Sequence, residues 1–182
     1  VKKYPFMRYF IGDIRDKNRL LRALNGIDIV VHAAALKHVP LVEQNPTEAI
    51  LTNIIGTKNI ANASKNFSCK VMVLISSDKA VYPSSVMGQT KRIAESYCQS
   101  LAISEINKPN KDTNFVIVRF GNVLGSTGSV VPLFQRQIKV GGPITVTHPD
   151  ATRYFMTSKE AVRLVLHAAT LQENYENLNR IF

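Results

Sequence analysis

The sequence predicts an α/β fold, a parallel sheet with helices on both faces. Three observations point there. Three short runs are almost wholly apolar, as strands buried on both faces are; helix-length stretches separate them; and each run ends in small or polar residues, where a parallel sheet places its chemistry.

In chain order, Gly12-Asp13-Ile14-Arg15 leads into a helix expected from Asp16 to Leu24, with Asp16 the natural cap. Ile27 to Ala35 reads as the first strand, running into three alanines. Pro46 to Asn66 reads as a helix, Val71 to Ser77 as the second strand, and Val86 to Ile106 as a helix with Ile93, Ala94, Tyr97 and Leu101 as its apolar positions. Phe115 to Phe120 is the third strand. Strands alternating with helices imply right-handed crossovers. Ala33 to Ala35, Ser76 to Lys79 and Gly121 to Gly125 then all fall at the carboxyl ends of strands. From Gly125 the texture changes to Gly, Pro and Thr with shorter elements, ending in a helix from Ser158 to Leu171, and reads as a subdomain covering the site.

A chain of 182 residues with ordinary apolar content suits one domain with a real core. Its 23 Lys and Arg against 13 Asp and Glu give a net charge of +10, which favours anionic partners. The basic residues are scattered and not interleaved with aromatics, so a phosphorylated small molecule is the better use of that charge and no nucleic-acid partner is expected. Cys69 and Cys98 stand apart without a CxxC or His-rich partner, which suits a reducing, cytoplasmic setting and argues against a disulfide framework or metal site. No apolar run reaches the ~20 residues of a membrane helix.

Ser76-Ser77-Asp78-Lys79, then Met87 and Lys91, carry the chemistry. A serine at a strand end, followed by a residue X and a lysine at X+4 on the next helix, is how a nicotinamide sugar enzyme places its hydroxyl, tyrosine and lysine. Here the tyrosine slot holds Met87, whose thioether cannot ionise, so proton chemistry moves to Asp78 and Lys79. Tyr82 is a weaker stand-in, because Pro83 sets it in a turn. A dinucleotide-binding fold opens with a strand, a G-x-G-x-x-G turn and a helix. Nothing of the kind precedes Gly12, and Gly125-Ser126-Thr127-Gly128 comes late. With Asn179-Arg180-Ile181-Phe182 reading as the start of a strand, the chain is expected to be an internal piece of a larger protein.

Five ordered motifs carry a resemblance: His32 to Pro40, Thr52 to Thr57, Ser76 to Ala80, Val86 to Arg92, and Arg119 to Val123. Together they resemble the polysaccharide-biosynthesis (CapD-like) branch of the extended short-chain dehydrogenase/reductases, whose best-known members are UDP-N-acetylglucosamine 4,6-dehydratases. The resemblance implies a Rossmann-like sheet lacking its first βαβ segment, with residues 1–124 as a partial NADP-binding domain and 125–182 as a substrate-binding part. It implies NADP as cofactor, held by Asp13 and Ile14 at the adenine, by Ala33, Ala34, Ala35 and Lys37 along its length, and by Asn53, Ser76, Lys91 and Phe120 toward the nicotinamide. It further implies a UDP-sugar substrate held by Asn122, Ser129, Val130, Thr145, Thr147 and Arg153, and a homo-oligomer. Membrane contact is expected only if a preceding segment is an anchor. Arg153 suits a diphosphate, because its planar fork makes paired charge-assisted hydrogen bonds.

By the same resemblance Lys79 is the base at C5 and Asp78 the acid that protonates the leaving C6 oxygen, while Ser77 donates to the C4 oxygen and Lys91 binds the nicotinamide ribose. The chemistry requires Lys79 neutral and Asp78 protonated for part of the time, so a desolvated site is expected to push their pKa values toward each other. A C4 epimerase on the same scaffold has no use for such a pair. A noncatalytic binding protein, the rival from another class, has no physical reason to keep a costly charge cluster. The 182-residue chain alone is expected to be inactive and to bind NADP without high affinity.

Overall fold

The computed structural model describes residue 4 and residues 6–106, 113–126, 129–146, 148–170 and 181–182. Its centre is a parallel sheet in the order β1 (Ile29–His32), β2 (Val71–Ser77) and β3 (Asn114–Phe120), with Ile29 opposite Val71 and Val71 opposite Asn114. Alternation along each strand divides the core in two. Val30, Met72, Leu74, Phe115 and Ile117 face one side, where α4 (Thr57–Asn66) and α5 (Val86–Ile106) cover them with Ile60, Ala61, Ala94 and Cys98. Val71, Val73, Val116 and Val118 face the other, under Ala168 and Ala169 of α7 (Ser158–Thr170). The doubly covered parallel sheet expected from the sequence is therefore present, and both cysteines are buried free thiols.

The first strand is shorter than its apolar run, and it is covered on one face only. Ile29 and Val31 remain 49% and 50% exposed, because α7 spans β2 and β3 and does not reach β1. α1 (Lys17–Leu24) starts where Asp16 caps it, the carboxylate accepting from Arg19 N–H at 3.0 Å. The stretch read as one helix from Pro46 to Asn66 is helical throughout but changes pitch: α3 (Pro46–Ala49) passes into a π-helical segment, Ile50–Gly56, before α4. Gly56 sits there because a Cβ would collide with Ile14. Ile93 on α5 is half exposed, not core, while Ala94 is buried.

Two helices escaped the sequence reading. α2 (Val39–Gln44) is short and carries Pro40 in its first turn, where a proline is tolerated. α6 (Val130–Lys139) begins within Ser129-Val130-Val131-Pro132; Ser129 is its N-cap, and Pro132 lies in the first turn, where no intrahelical N–H is needed. Two residue pairs, β4 (Asn122–Val123) and β5 (Phe155–Met156), form a small parallel ladder that fastens the segment before α7 to the end of β3. Ile181 bridges Ile117 in parallel, the strand pairing expected of the last residues; Asn179 and Arg180 lie outside the described residues, as do Leu171, Thr127 and Gly128. Among the described residues no helix is long and apolar enough to cross a membrane.

Candidate active site

The carboxyl end of β2 turns sharply into a 3₁₀ turn, Asp78–Ala80, and Ser77 makes that turn by accepting Lys79 N–H on its hydroxyl at 3.2 Å. The same hydroxyl donates to Asp78 Oδ1 at 2.9 Å, and Lys79 Nζ donates to that oxygen at 3.0 Å and to Asn122 Oδ1 at 3.2 Å. Ser77, Asp78, Lys79 and Asn122, named from two separate motifs, thus form one hydrogen-bonded group. Asp78 and Lys79 line a cavity of about 360 Å³ together with Val39, Tyr82, Arg153 and Tyr154. Gly88 on the first turn of α5 seats this group, since a Cβ there would strike Lys79's carbonyl. Ser85 caps α5 by accepting Gly88 N–H, and Glu43 from α2 accepts Val86 N–H at 2.7 Å.

One electrostatic expectation is corrected. The pair is 34% and 37% exposed, not enclosed. Burial pushes the Asp78 carboxyl up, yet hydrogen bonds from Lys79 and Ser77 outweigh it and leave the carboxyl below its ordinary value. In this state the Asp78 carboxyl is ionised and carries no proton to give.

Lys91 is buried and donates to Ile75's carbonyl at 2.8 Å, so it does not line that cavity. Burial lowers its pKa to about 8, with Glu95 pulling it back up. Met87, in the tyrosine slot, is buried in an apolar cluster with Val42 and Ala49 and fills space. Ser76 Oγ is buried without a partner of hydrogen-bonding geometry, although its proximity helps to hold Glu95 ionised. Glu95 itself, four residues after Lys91, is fully buried and met by Arg119 and Arg92. Sequence reasoning missed this cluster; its signal was a lone arginine in the apolar run ending β3. It missed His32 as well. That ring is buried against Thr57 Oγ1 at 2.9 Å, and burial, then the Lys91 charge, lowers its pKa to about 4. Because Thr57 Oγ1 donates to Asn53's carbonyl, the ring must donate through Nε2.

Several residues expected at the cofactor are otherwise engaged. Asn53 is buried and clamps both backbone groups of Leu36, Oδ1 accepting its N–H at 2.8 Å and Nδ2 donating to its carbonyl at 3.0 Å, with a second donation to Thr90. It therefore shapes the loop of Ala33, Ala34, Ala35 and Lys37 that leaves β1. Asp13 is bound by Arg15, whose hydrogen bonds lower its pKa to about 2. Ile14 packs on the core and against Gly56, and Phe120 on the α7 side of the sheet. Among the residues expected at the substrate, Arg153 lines the cavity and Thr145 pairs with Gln137 of α6. Ser129 and Val130 open α6, and Thr147 lies outside the described residues.

The profile of the family described as polysaccharide biosynthesis protein matches residues 2–179. The capsular polysaccharide biosynthesis protein CapD of Staphylococcus aureus is 57% identical over 168 residues, 91% of this chain and 27% of the relative. A UDP-glucose 4-epimerase of Rickettsia canadensis (strain McKiel) is 45% identical over 166 residues, 90% of this chain and 47% of the relative. Among solved structures, the dTDP-glucose 4,6-dehydratase DesIV of Streptomyces venezuelae, with NAD and TYD bound, matches the whole chain and 59% of its own at a TM-score of 0.85 and 22% identity, a likeness of fold. The chain spans between about a quarter and a half of the length of these two relatives.

Proposed function

This chain belongs to the polysaccharide biosynthesis protein family, and from that premise we propose that it carries the catalytic residues of a nucleotide-sugar 4,6-dehydratase acting on a UDP-sugar, most simply UDP-N-acetylglucosamine. The observation that carries the reading is the Asp78–Lys79 contact at 3.0 Å beside Asn122, in a cavity that also takes in Arg153. Dehydration across C5 and C6 needs one base and one acid. An ion pair at hydrogen-bond distance contains both: when a ligand fills the cavity and excludes water, the charges lose their solvation, and a single proton shift from Lys79 to Asp78 leaves a neutral amine and a carboxylic acid. Lys79 then removes the C5 proton and Asp78 protonates the departing C6 oxygen. Asn122 holds the amine in place, Ser77 turns its one hydroxyl hydrogen from Asp78 to the C4 oxygen when the substrate binds, and Arg153 binds the diphosphate through paired charge-assisted hydrogen bonds.

The residues present suit a nicotinamide dinucleotide. Ala33 and Ala34 are exposed and small at the carboxyl edge of β1, Lys37 is an exposed cation beside them, and the buried Lys91 amine has hydrogens beyond the one given to Ile75. Ala33 to Ala35 and Lys37 would hold its length and Lys91 its nicotinamide ribose, with NADP the expected form. Such a group supplies hydride transfer.

A C4 epimerase is a specific second reading, favoured by the Rickettsia relative and by a carboxyl kept ionised, since epimerisation asks for no acid at C6. Incubating the full-length protein with UDP-N-acetylglucosamine and NADP separates them. Dehydration removes one water from the sugar, and Asp78→Asn and Lys79→Met each lower that rate by about a hundredfold or more. Inversion at C4 with unchanged mass supports the epimerase, and an unaltered sugar refutes both.

A further inference from the structure

Tyr82 stands in a conformation that a tyrosine does not adopt without cause. Its φ is +45°, and it precedes Pro83, a neighbour that disfavours compact backbone angles. No packing repays that strain, because the residue is 96% exposed. Strain of this kind collects at ligand clamps, where the surrounding chain holds it in place. The chain does so here: a Cβ on Gly88 would meet Lys79's carbonyl and come within 3.1 Å of Pro83 Cβ, so the segment carrying Tyr82 lies directly on α5.

A second exposed tyrosine lines the same cavity, also on backbone seated against a glycine. Tyr154 is 85% exposed, yet its backbone is fixed: its carbonyl accepts Asn122 N–H at 2.9 Å, and a Cβ on Gly121 would come within 2.6 Å of that oxygen. Two exposed tyrosines thus stand on glycine-seated backbone, on two of the chain segments that line the cavity. Asp78 and Lys79 belong to the first segment and Arg153 to the second.

We propose that Tyr82 and Tyr154 are the ring walls of a slot for the hexose of a nucleotide sugar, fixing its ring over Asp78 and Lys79. This rests on reading the cavity as a nucleotide-sugar site. The face of an aromatic ring is electron-rich, and the C–H hydrogens on the flat side of a pyranose are weakly positive, so the two surfaces pack with a preferred geometry and exclude water. The exclusion serves the reaction directly, because desolvation is what turns the Asp78–Lys79 ion pair into an acid and a base. The hexose is the fitting occupant because the reacting groups stand beside Tyr82 in the chain, while Arg153, next to Tyr154, sets the diphosphate at the other end.

The test is calorimetric binding of UDP-N-acetylglucosamine and of UDP to the full-length protein and its variants, with melting temperatures recorded in parallel. Tyr82→Ala and Tyr154→Ala are expected to weaken the UDP-sugar about tenfold each, to leave UDP unchanged and to melt as the wild type does. Tyr82→Phe is expected to bind like wild type. Unchanged UDP-sugar affinity in both alanine variants overturns the proposal. So does an equal loss for UDP, which would put the rings on the base, and so does a Tyr82→Phe loss matching that of Tyr82→Ala, which would assign the effect to the hydroxyl. A wild type that binds no UDP-sugar overturns this proposal and the proposed function together, whereas wild-type binding with unaffected variants overturns this one alone.

Discussion

Glu95 has no exposed side-chain surface, and Arg119 meets it with two parallel hydrogen bonds, Nε to Oε1 at 2.8 Å and Nη2 to Oε2 at 2.5 Å. Burial pushes the Glu95 carboxyl up, but Arg119, then Ser76 and Arg92, hold it below its ordinary value. The pair ties α5, which carries Met87 and Lys91, to β3, which ends at the site.

Removing Arg119 leaves the buried Glu95 carboxylate with only the half-exposed Arg92 as a partner among these two arginines. Arg119→Met is expected to destabilise the chain by about 3 kcal/mol in urea unfolding. Glu95→Met combined with Arg119→Met is expected to recover part of the loss, because a neutral apolar pair pays no desolvation. A double variant as unstable as the sum of the singles would count against the ion-pair account.

Lys91 works against the fold. Its pKa in the folded chain, about 8, lies below the ordinary 10.5, so the ammonium is the disfavoured form. Its stabilising contribution is complete above pH 10.5 and is lost as pH falls through 8. At pH 7 the buried charge costs up to about 3 kcal/mol. Lys91→Met is therefore expected to stabilise the chain by about 1–2 kcal/mol after the lost hydrogen bond to Ile75 is subtracted, while enzymatic turnover of the full-length protein falls. Thermal unfolding and a rate assay on one variant check both halves.

His32 sets an acid limit. Its pKa is depressed from 6.5 to about 4, so the contribution of the neutral ring is fully present above pH 6.5 and is lost as pH falls toward 4. Unfolding free energy measured between pH 7 and pH 4 should fall by up to about 3 kcal/mol from this group. In His32→Asn that part of the slope should vanish.

Gly88→Ala tests the seat of the Asp78–Lys79 pair and the catalytic role proposed for it. The added methyl must displace Lys79's carbonyl, and with it the amine that reaches Asp78 and Asn122. A displacement of about 1 Å costs on the order of a hundredfold in rate. The expected result is a large fall in kcat in the full-length protein; an alanine variant with wild-type kcat would show that Lys79's position is not critical.

How much of this was legible depends on what each residue's neighbours do. Val71 to Ser77 and Val86 to Ile106 match their elements end to end, because a run buried on both faces and a long helix each state themselves locally. Asp78 and Lys79, read from one motif, meet the distant Arg153 at one cavity, and Asn122, read from another, joins them through its contact with Lys79. The shortfalls have physical reasons. Ile29 and Val31 are exposed because coverage depends on how far α7 reaches, which no strand pattern encodes. Pro40 and Pro132 masked two helices by sitting in first turns. Asn53 reads as a ligand contact, yet its amide is spent on Leu36 and Thr90. Asp78 is low rather than high because two neighbouring donors outweigh partial burial, a balance that sequence spacing does not reveal.

The π-helical stretch from Ile50 to Gly56 amounts to a phase change between two helices. Each residue advances an α-helix by about 100°, so a wide turn offsets the side chains before it from those after it. Asn53 can face Leu36 while Asn59, beyond the turn, reaches back to the carbonyls of Ile14 and Arg15. Shortening the segment by one residue would restore regular pitch and swing one of these two anchors out of alignment, so the loop after β1 and the loop before α1 owe their simultaneous attachment to a single irregularity of winding.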